Sequence, residues 1–166
     1  TDGTSDGVYH LDVVAFHLEV TGSGTQVAGS SQIATITVYR NDGSIDNTYV
    51  GDHAVTLSGP GVSPDGTTPT CTDKDGVLRN LGTATTLTFV GGQATCTLTL
   101  YRSETTSLDA TDGSYSSAAN GAWDLDIVVS QASDLGAESI LSVSPDPQEV
   151  GQVVAISVQA VDTYGN

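Results

Sequence analysis

Over Thr85–Tyr101, TTLTFVGGQATCTLTLY, apolar and polar residues alternate on both sides of a glycine pair. A period of two belongs to a half-buried β-strand, whose successive side chains point to opposite faces, and does not suit an amphipathic helix. Leu87 and Phe89 share a face before Gly91-Gly92. Ala94, Cys96, Leu98 and Leu100 share a face after it, with threonines on the other side. Two adjacent glycines supply the positive φ angles of a type I′ turn. The stretch therefore reads as a β-hairpin in which Val90 faces Gln93, Phe89 faces Ala94 and Leu87 faces Cys96. The apolar face of such a pair needs a second sheet to cover it.

The same alternation recurs along the chain. Val14, Phe16, Leu18 and Val20 form an apolar face within Leu11–Val20, which turns His17 toward solvent. Ala34, Ile36 and Val38 do so within Ile33–Tyr39, and Tyr49–Leu57 and Ser107–Ala110 read as further strands. In the closing strand, Ala122–Val129, the residues Trp123, Leu125, Ile127 and Val129 lie opposite Asp124 and Asp126. The prolines and glycines of SGPGVSPDGTTPT exclude regular structure, and TDKDGVLRN reads as an acidic turn. Roughly seven strands with turn signals between them are the pattern of an all-β fold, an immunoglobulin-like antiparallel β-sandwich over residues 10–132. Residues 1–9, with two Asp-Gly pairs, read as a flexible N-terminal segment. They lack the basic and apolar regions of a leader, so the expectation is a processed chain or an excised piece. No run has helical period, and none is apolar and long enough to cross a bilayer.

Charge narrows the partners. Twenty Asp and Glu against four Lys and Arg give a formal net charge of −16, the opposite of what nucleic acid or an anionic membrane surface requires. Such acidity suits solubility in an extracellular, salty medium, or divalent cation binding. Asp73 and Asp75, Asp42 and Asp46, Asp109 and Asp112, and Asp162 with Asn166 each place hard oxygen ligands on bendable loops. Calcium is the cation such loops would take, although Asp-Gly is also a turn dipeptide and none of the loops has EF-hand spacing. No cofactor is required, and calcium is the one to consider. His10, His17 and His53 are far apart in sequence with no nucleophile at a catalytic spacing, so no enzyme is expected. Tyr49, Tyr101 and Tyr115 are the aromatics a sugar platform would use. The two cysteines, Cys71 and Cys96, read either as buried thiols or as one disulfide, with Cys96 directed inward to a partner across the core. That disulfide would close a loop of about 26 residues and contribute roughly 3 kcal/mol.

The chain also repeats itself. A displacement of 122 residues lays Val150-Gly151 on Ala28-Gly29, Ala155–Val158 on Ile33–Ile36 and Gly165 on Gly43. Ile140–Val143 parallels Leu18–Val20 to within one residue. Residues 137–166 thus read as the first two strands of a second module, or as strands donated to a neighbouring subunit.

VAGSSQIATITVYRNDGS, Tyr49-Val50-Gly51-Asp52 and LTFVGGQATCTLTLYRSETTSLDATDG, together with EVGQVVAISVQAVDTYGN, resemble bacterial immunoglobulin-like repeats. These are filamin- or invasin-like β-sandwiches strung along adhesins and surface fibres. The resemblance spans Val27–Val129 and, as a truncated second copy, Ala137–Asn166. It implies a secreted or cell-surface protein and tandem assembly, and it brings no shared catalytic residues. Two strands cannot bury an apolar face alone, so Ile140, Val143, Ile156, Val158 and Ala160 need a partner. That partner is an adjacent tandem module or a neighbouring copy joined by strand addition, which builds a filament when the contact does not close. The expected role is a structural unit of an extracellular filament or surface fibre. The rival expectation is a ligand- or carbohydrate-binding module of an adhesin or of a multidomain extracellular enzyme.

Overall fold

The computed structural model describes residues 16–136, 139–144, 150–151, 153 and 155–166. The N-terminal segment 1–9, His10 and Val14 lie outside the described residues. The strands are β1 (His17–Thr21), β2 (Thr25–Val27), β3 (Ser31–Tyr39), β4 (Gly51–Ser58), β5 (Thr70–Thr72), β6 (Leu78–Asn80), β7 (Ala84–Phe89), β8 (Gln93–Thr99), β9 (Glu104–Thr111), β10 (Leu125–Ser130), β11 (Ile140–Ser144) and β12 (Ala155–Gln159). The first ten form two five-stranded sheets, in the orders β1-β3-β8-β5-β6 and β2-β10-β9-β4-β7. This is the all-β sandwich that the alternation predicts. The extra strands beyond seven, β2, β5 and β6, are three residues long, too short to carry a period.

The core lies where the two apolar faces meet. Leu18, Val20, Ala34, Ile36 and Val38 of the first sheet are at most 2% exposed, as are Val55, Leu57, Leu87, Phe89, Leu108, Ala110 and Ile127 of the second. Each set follows the period-two spacing that defines one face of a strand.

The glycine-pair hairpin is not a paired hairpin. Its turn forms as expected: Gly91 and Gly92 have φ of 57° and 81°, and Val90 and Gln93 exchange both backbone hydrogen bonds at 2.8 and 3.3 Å. Beyond that pair the strands part into opposite sheets. β7 runs beside β4, with Leu87 opposite His53, and β8 runs beside β3, with Cys96 opposite Ala34 and Ala94 opposite Ile36. The turn is a corner, and Gly92 fixes it. The Gly92 N–H donates to the Tyr49 carbonyl, and its own carbonyl accepts from the Val38 N–H. A methyl group on Gly92 would lie 2.6 Å from the Asp46 carbonyl oxygen. Phe89 and Leu87 then enter the core from one sheet and Cys96 and Leu98 from the other, where a paired hairpin would set them side by side.

One further local reading changes, and one crossing between the sheets carries no mark in the alternation. β1 and β2 are one crossing segment that leaves the first sheet and joins the second, where β2 pairs parallel with β10. Gly22 allows the crossing, since a Cβ there would come 2.8 Å from Leu125 Cδ2 and 3.1 Å from the Ile33 carbonyl oxygen. His17 is half-buried and not solvent-facing: its ring stacks on Trp123 at 3.7 Å between centroids and lies 5.5 Å from Tyr39.

β11 and β12 form a separate two-stranded antiparallel sheet. Leu141↔Val158 and Ser142↔Ser157 stand in this pair as Val20↔Ile36 and Thr21↔Thr35 stand in β1 and β3. The turns that follow β3 and β12 share their backbone bonds. Arg40 N–H donates to Ser44 O and Gly43 N–H to Arg40 O, while Asp162 N–H donates to Asn166 O and Gly165 N–H to Asp162 O. Gly43 and Gly165 have φ of 78° and 77°. Among the described residues no helix is long and apolar enough to cross a membrane.

Candidate functional site

The antiparallel registers that build the sandwich also decide which chemical groups meet. β5 sets Cys71 opposite Leu98 of β8, so Cys71 and Cys96 share the core face of one sheet on neighbouring strands. The partner of Cys96 is beside it and not across the core. Both thiols are free and buried. The neighbouring Cys96 thiol favours the thiolate on Cys71, and Cys71 disfavours it on Cys96. Thr85 Oγ1 also lies 3.8 Å from Cys71 Sγ.

The acidic loops are held by their own donors. Asp42 Oδ1 accepts from the Ser44 N–H and hydroxyl at 2.9 and 2.6 Å. The buried Asp46 accepts from Arg40 Nη2 at 2.7 Å and from the Thr48 hydroxyl at 2.6 Å, and these bonds hold its carboxyl below the ordinary range. Asp73 accepts from the Asp75 and Val77 N–H groups and from Arg79, while Asp75 is exposed and paired with Lys74 at 3.1 Å. Asp42, Asp46 and Asp73 are side chains closing a turn two to four residues on, the competition with backbone that gives Asp its place in loops. Among the described residues no three His, Cys, Asp or Glu side chains converge on a point suited to a metal ion.

Asp162 is different because its donors come from two parts of the fold. Oδ1 accepts from the Tyr164 and Asn166 N–H groups, both at 2.9 Å. Oδ2 accepts from the Ala132 N–H at 2.8 Å and from Asn166 Nδ2 at 2.9 Å. Burial by itself would raise this carboxyl, but the donated bonds of Asn166, Ala132 and Tyr164 outweigh it and hold the group below the usual carboxylate range.

Asp109 does not meet Asp112. Asp112 accepts the Tyr49 hydroxyl at 2.6 Å, whereas Asp109 lies against Asp124, one step past the Leu108↔Leu125 pair of β9 and β10. An Oδ1 atom of each is buried without a donor, so a proton shared by the two carboxyls is what would satisfy them. Burial first, then the hydrogen bond and charge of Asp124, push Asp109 up to about 6. Folded Asp109 thus binds its proton more tightly than the unfolded chain does. Its contribution to stability is complete below about pH 4 and is lost as pH rises through about 6. Asp109→Asn, which carries a permanent donor toward Asp124, is expected to stabilise the fold by about 1–2 kcal/mol at pH 7.5 and to lose that advantage near pH 4.5. Urea unfolding of both proteins across that range checks it. The comparison cancels His17, whose burial lowers its pKa and works in the opposite sense.

Aromatic candidates are absorbed into packing. Tyr49 stacks on His53 at 3.9 Å and meets Phe89 edge-on at 4.9 Å, Tyr115 packs on Phe16, and Tyr101 packs on Tyr164 at 5.1 Å. His53 Nε2 lies 3.1 Å from the Val50 carbonyl oxygen.

Of the residues expected to carry assembly, Ile140, Ile156 and Val158 are exposed, and Leu141 is exposed beside them. Leu141, Ile156 and Val158 are 68, 66 and 70% exposed and occupy one face, because Leu141 opposes Val158 and Val143 opposes Ile156 in register. Ile140 opposes Gln159 and so belongs to the other face; Leu141 takes the place the sequence reading gave it. Ala160 is exposed just beyond the end of β12.

Compared with known proteins, the chain matches no family model and no curated protein.

Proposed function

We propose that this chain is a building unit of an extracellular filament or cell-surface fibre, assembled from immunoglobulin-like sandwiches joined end to end. One observation carries the reading: β11 and β12 repeat the pairing and following turn of β1 and β3, yet Leu141, Ile156 and Val158 are exposed and, among the described residues, no third strand joins this sheet. A two-stranded sheet is marginal in water and leaves open edges, so these strands call for further strands, either from a continuing module or from a neighbouring copy. Supporting features are the acidic Thr- and Ser-rich surface and the adjacent thiols Cys71 and Cys96, which become a disulfide in an oxidising compartment.

Light scattering and electron microscopy of the full chain, and of a chain ending at Ala132, test the proposal. Filaments from the full chain with a monomeric truncation are the expected result for strand completion between molecules. Two monomers, with Leu141 and Val158 still open to solvent, place the missing strands in a continuing tandem chain. A full chain whose β11 and β12 pack into its own sandwich would sink the reading.

A further inference from the structure

We infer that the turn Asp162–Asn166 is a plug seated in a socket at one end of the sandwich, making the joint between successive modules stiff. The inference rests on the modular reading for its consequence; its contacts stand on their own.

Three side chains of one short turn, with the backbone of Tyr164 and Gly165, reach four separate parts of the sandwich and the segment that leaves it. Asn166 presents both halves of its amide to the connection between β8 and β9: Nδ2 donates to the Tyr101 carbonyl at 2.9 Å, and Oδ1 accepts from the Ser103 N–H at 2.7 Å. Asp162, 4% exposed, draws in the Ala132 N–H just after β10. The Tyr164 ring lies over Gly29, where a methyl group would come 2.7 Å from its Cζ, and against Tyr101. Its carbonyl accepts from the Asp65 N–H at 3.2 Å. Gly165 sits on Pro64, 3.2 Å from where its own Cβ would be. The connecting segment is tied in as well, by Gly136 N–H to Val161 O at 2.8 Å and Thr163 N–H to Asp134 O at 3.1 Å.

The lock has a direction. The turn Arg40–Ser44 has the same backbone bonds, but Arg40, Asp42 and Ser44 stand where Asp162, Tyr164 and Asn166 stand in the plug. Arg40 pairs with Asp46 instead. The plug chemistry, Asp-x-Tyr-Gly-Asn, thus belongs to the second copy alone, and the socket to the first. The partner this socket fits is the turn of the module that follows it. A module ahead of β1 would not be held the same way.

Amide hydrogen exchange on the full chain tests the lock, using wild type, Tyr164→Ala and Asn166→Asp. Asn166→Asp keeps the shape but replaces the donor toward Tyr101 O and Asp162 with a second carboxylate. The Ser103, Ala132 and Asp65 amides are expected to be protected in wild type and to exchange about tenfold or more faster in both variants, with Leu98 and Ile127 unchanged. Free exchange of those three amides in wild type, or no change in the variants, overturns the lock. Loss of the lock with intact assembly leaves the fibre reading standing. A protected junction in a chain that never assembles leaves the lock standing without it.

Discussion

Gly92→Val is expected to lower the unfolding free energy by about 3 kcal/mol or more, whereas Gly91→Ala at the neighbouring position costs only about 1 kcal/mol. Both glycines have positive φ, so both substitutions carry the conformational penalty of an L-residue in that region. Only Gly92 adds a steric one. Its Cβ would meet the Asp46 carbonyl at 2.6 Å and Ile45 Cγ2 at 2.7 Å, while at Gly91 the nearest atom is Asn47 Oδ1 at 3.6 Å. Asp46 cannot move aside easily, because Arg40 and Thr48 hold its side chain and its N–H donates to the Val38 carbonyl. Urea unfolding of the two variants measures the difference. In a regular hairpin the two glycines would be nearly equivalent, so equal costs would show that the corner does not hold the turn.

The second large effect is redox. Oxidised protein is expected to unfold about 3 kcal/mol harder than reduced protein, a rise in Tm of roughly 6–12 °C for a chain this size. Cys71 and Cys96 lie on adjacent strands of one sheet and share its core face, Cys71 opposite Leu98, two residues from Cys96. β5 is only three residues long and runs into the Asp73–Gly76 turn, and it is β5, not the central β3 and β8 pairing, that must shift to meet disulfide geometry. The bond would staple the short β5–β6 hairpin, at the edge of its sheet, to the middle of that sheet. Alkylation of unfolded, unreduced protein gives the direct reading. Two alkylated cysteines after air oxidation would end the disulfide proposal; a mass lower by two hydrogens, with the Tm difference abolished in the Cys71→Ala/Cys96→Ala variant, is the expected result.

Alternation in the sequence was enough to say which residues are buried: Leu18, Ala34, Ile36, Leu87, Phe89, Leu98 and Ile127 all lie on the faces their spacing assigns. It also marked Gly91-Gly92 as a turn with two positive φ angles. These properties are local. They depend on pleat, on the φ freedom of glycine and on what a strand must hide from water, all of which are written in consecutive residues. Neighbours are not local. Period two is the same whether Leu87 lies beside Cys96 in one sheet or faces it from another, so only closure of the sandwich made the hairpin a corner. The same closure moved the partner of Cys96 into the adjacent strand, set Asp109 against Asp124, and folded His17 onto Trp123. It also brought Asp162 and Asn166, spaced like a ligand loop, onto the amides of Ala132 and Ser103, because packing of distant segments, not sequence spacing, decides which donor a buried carboxylate or amide finds.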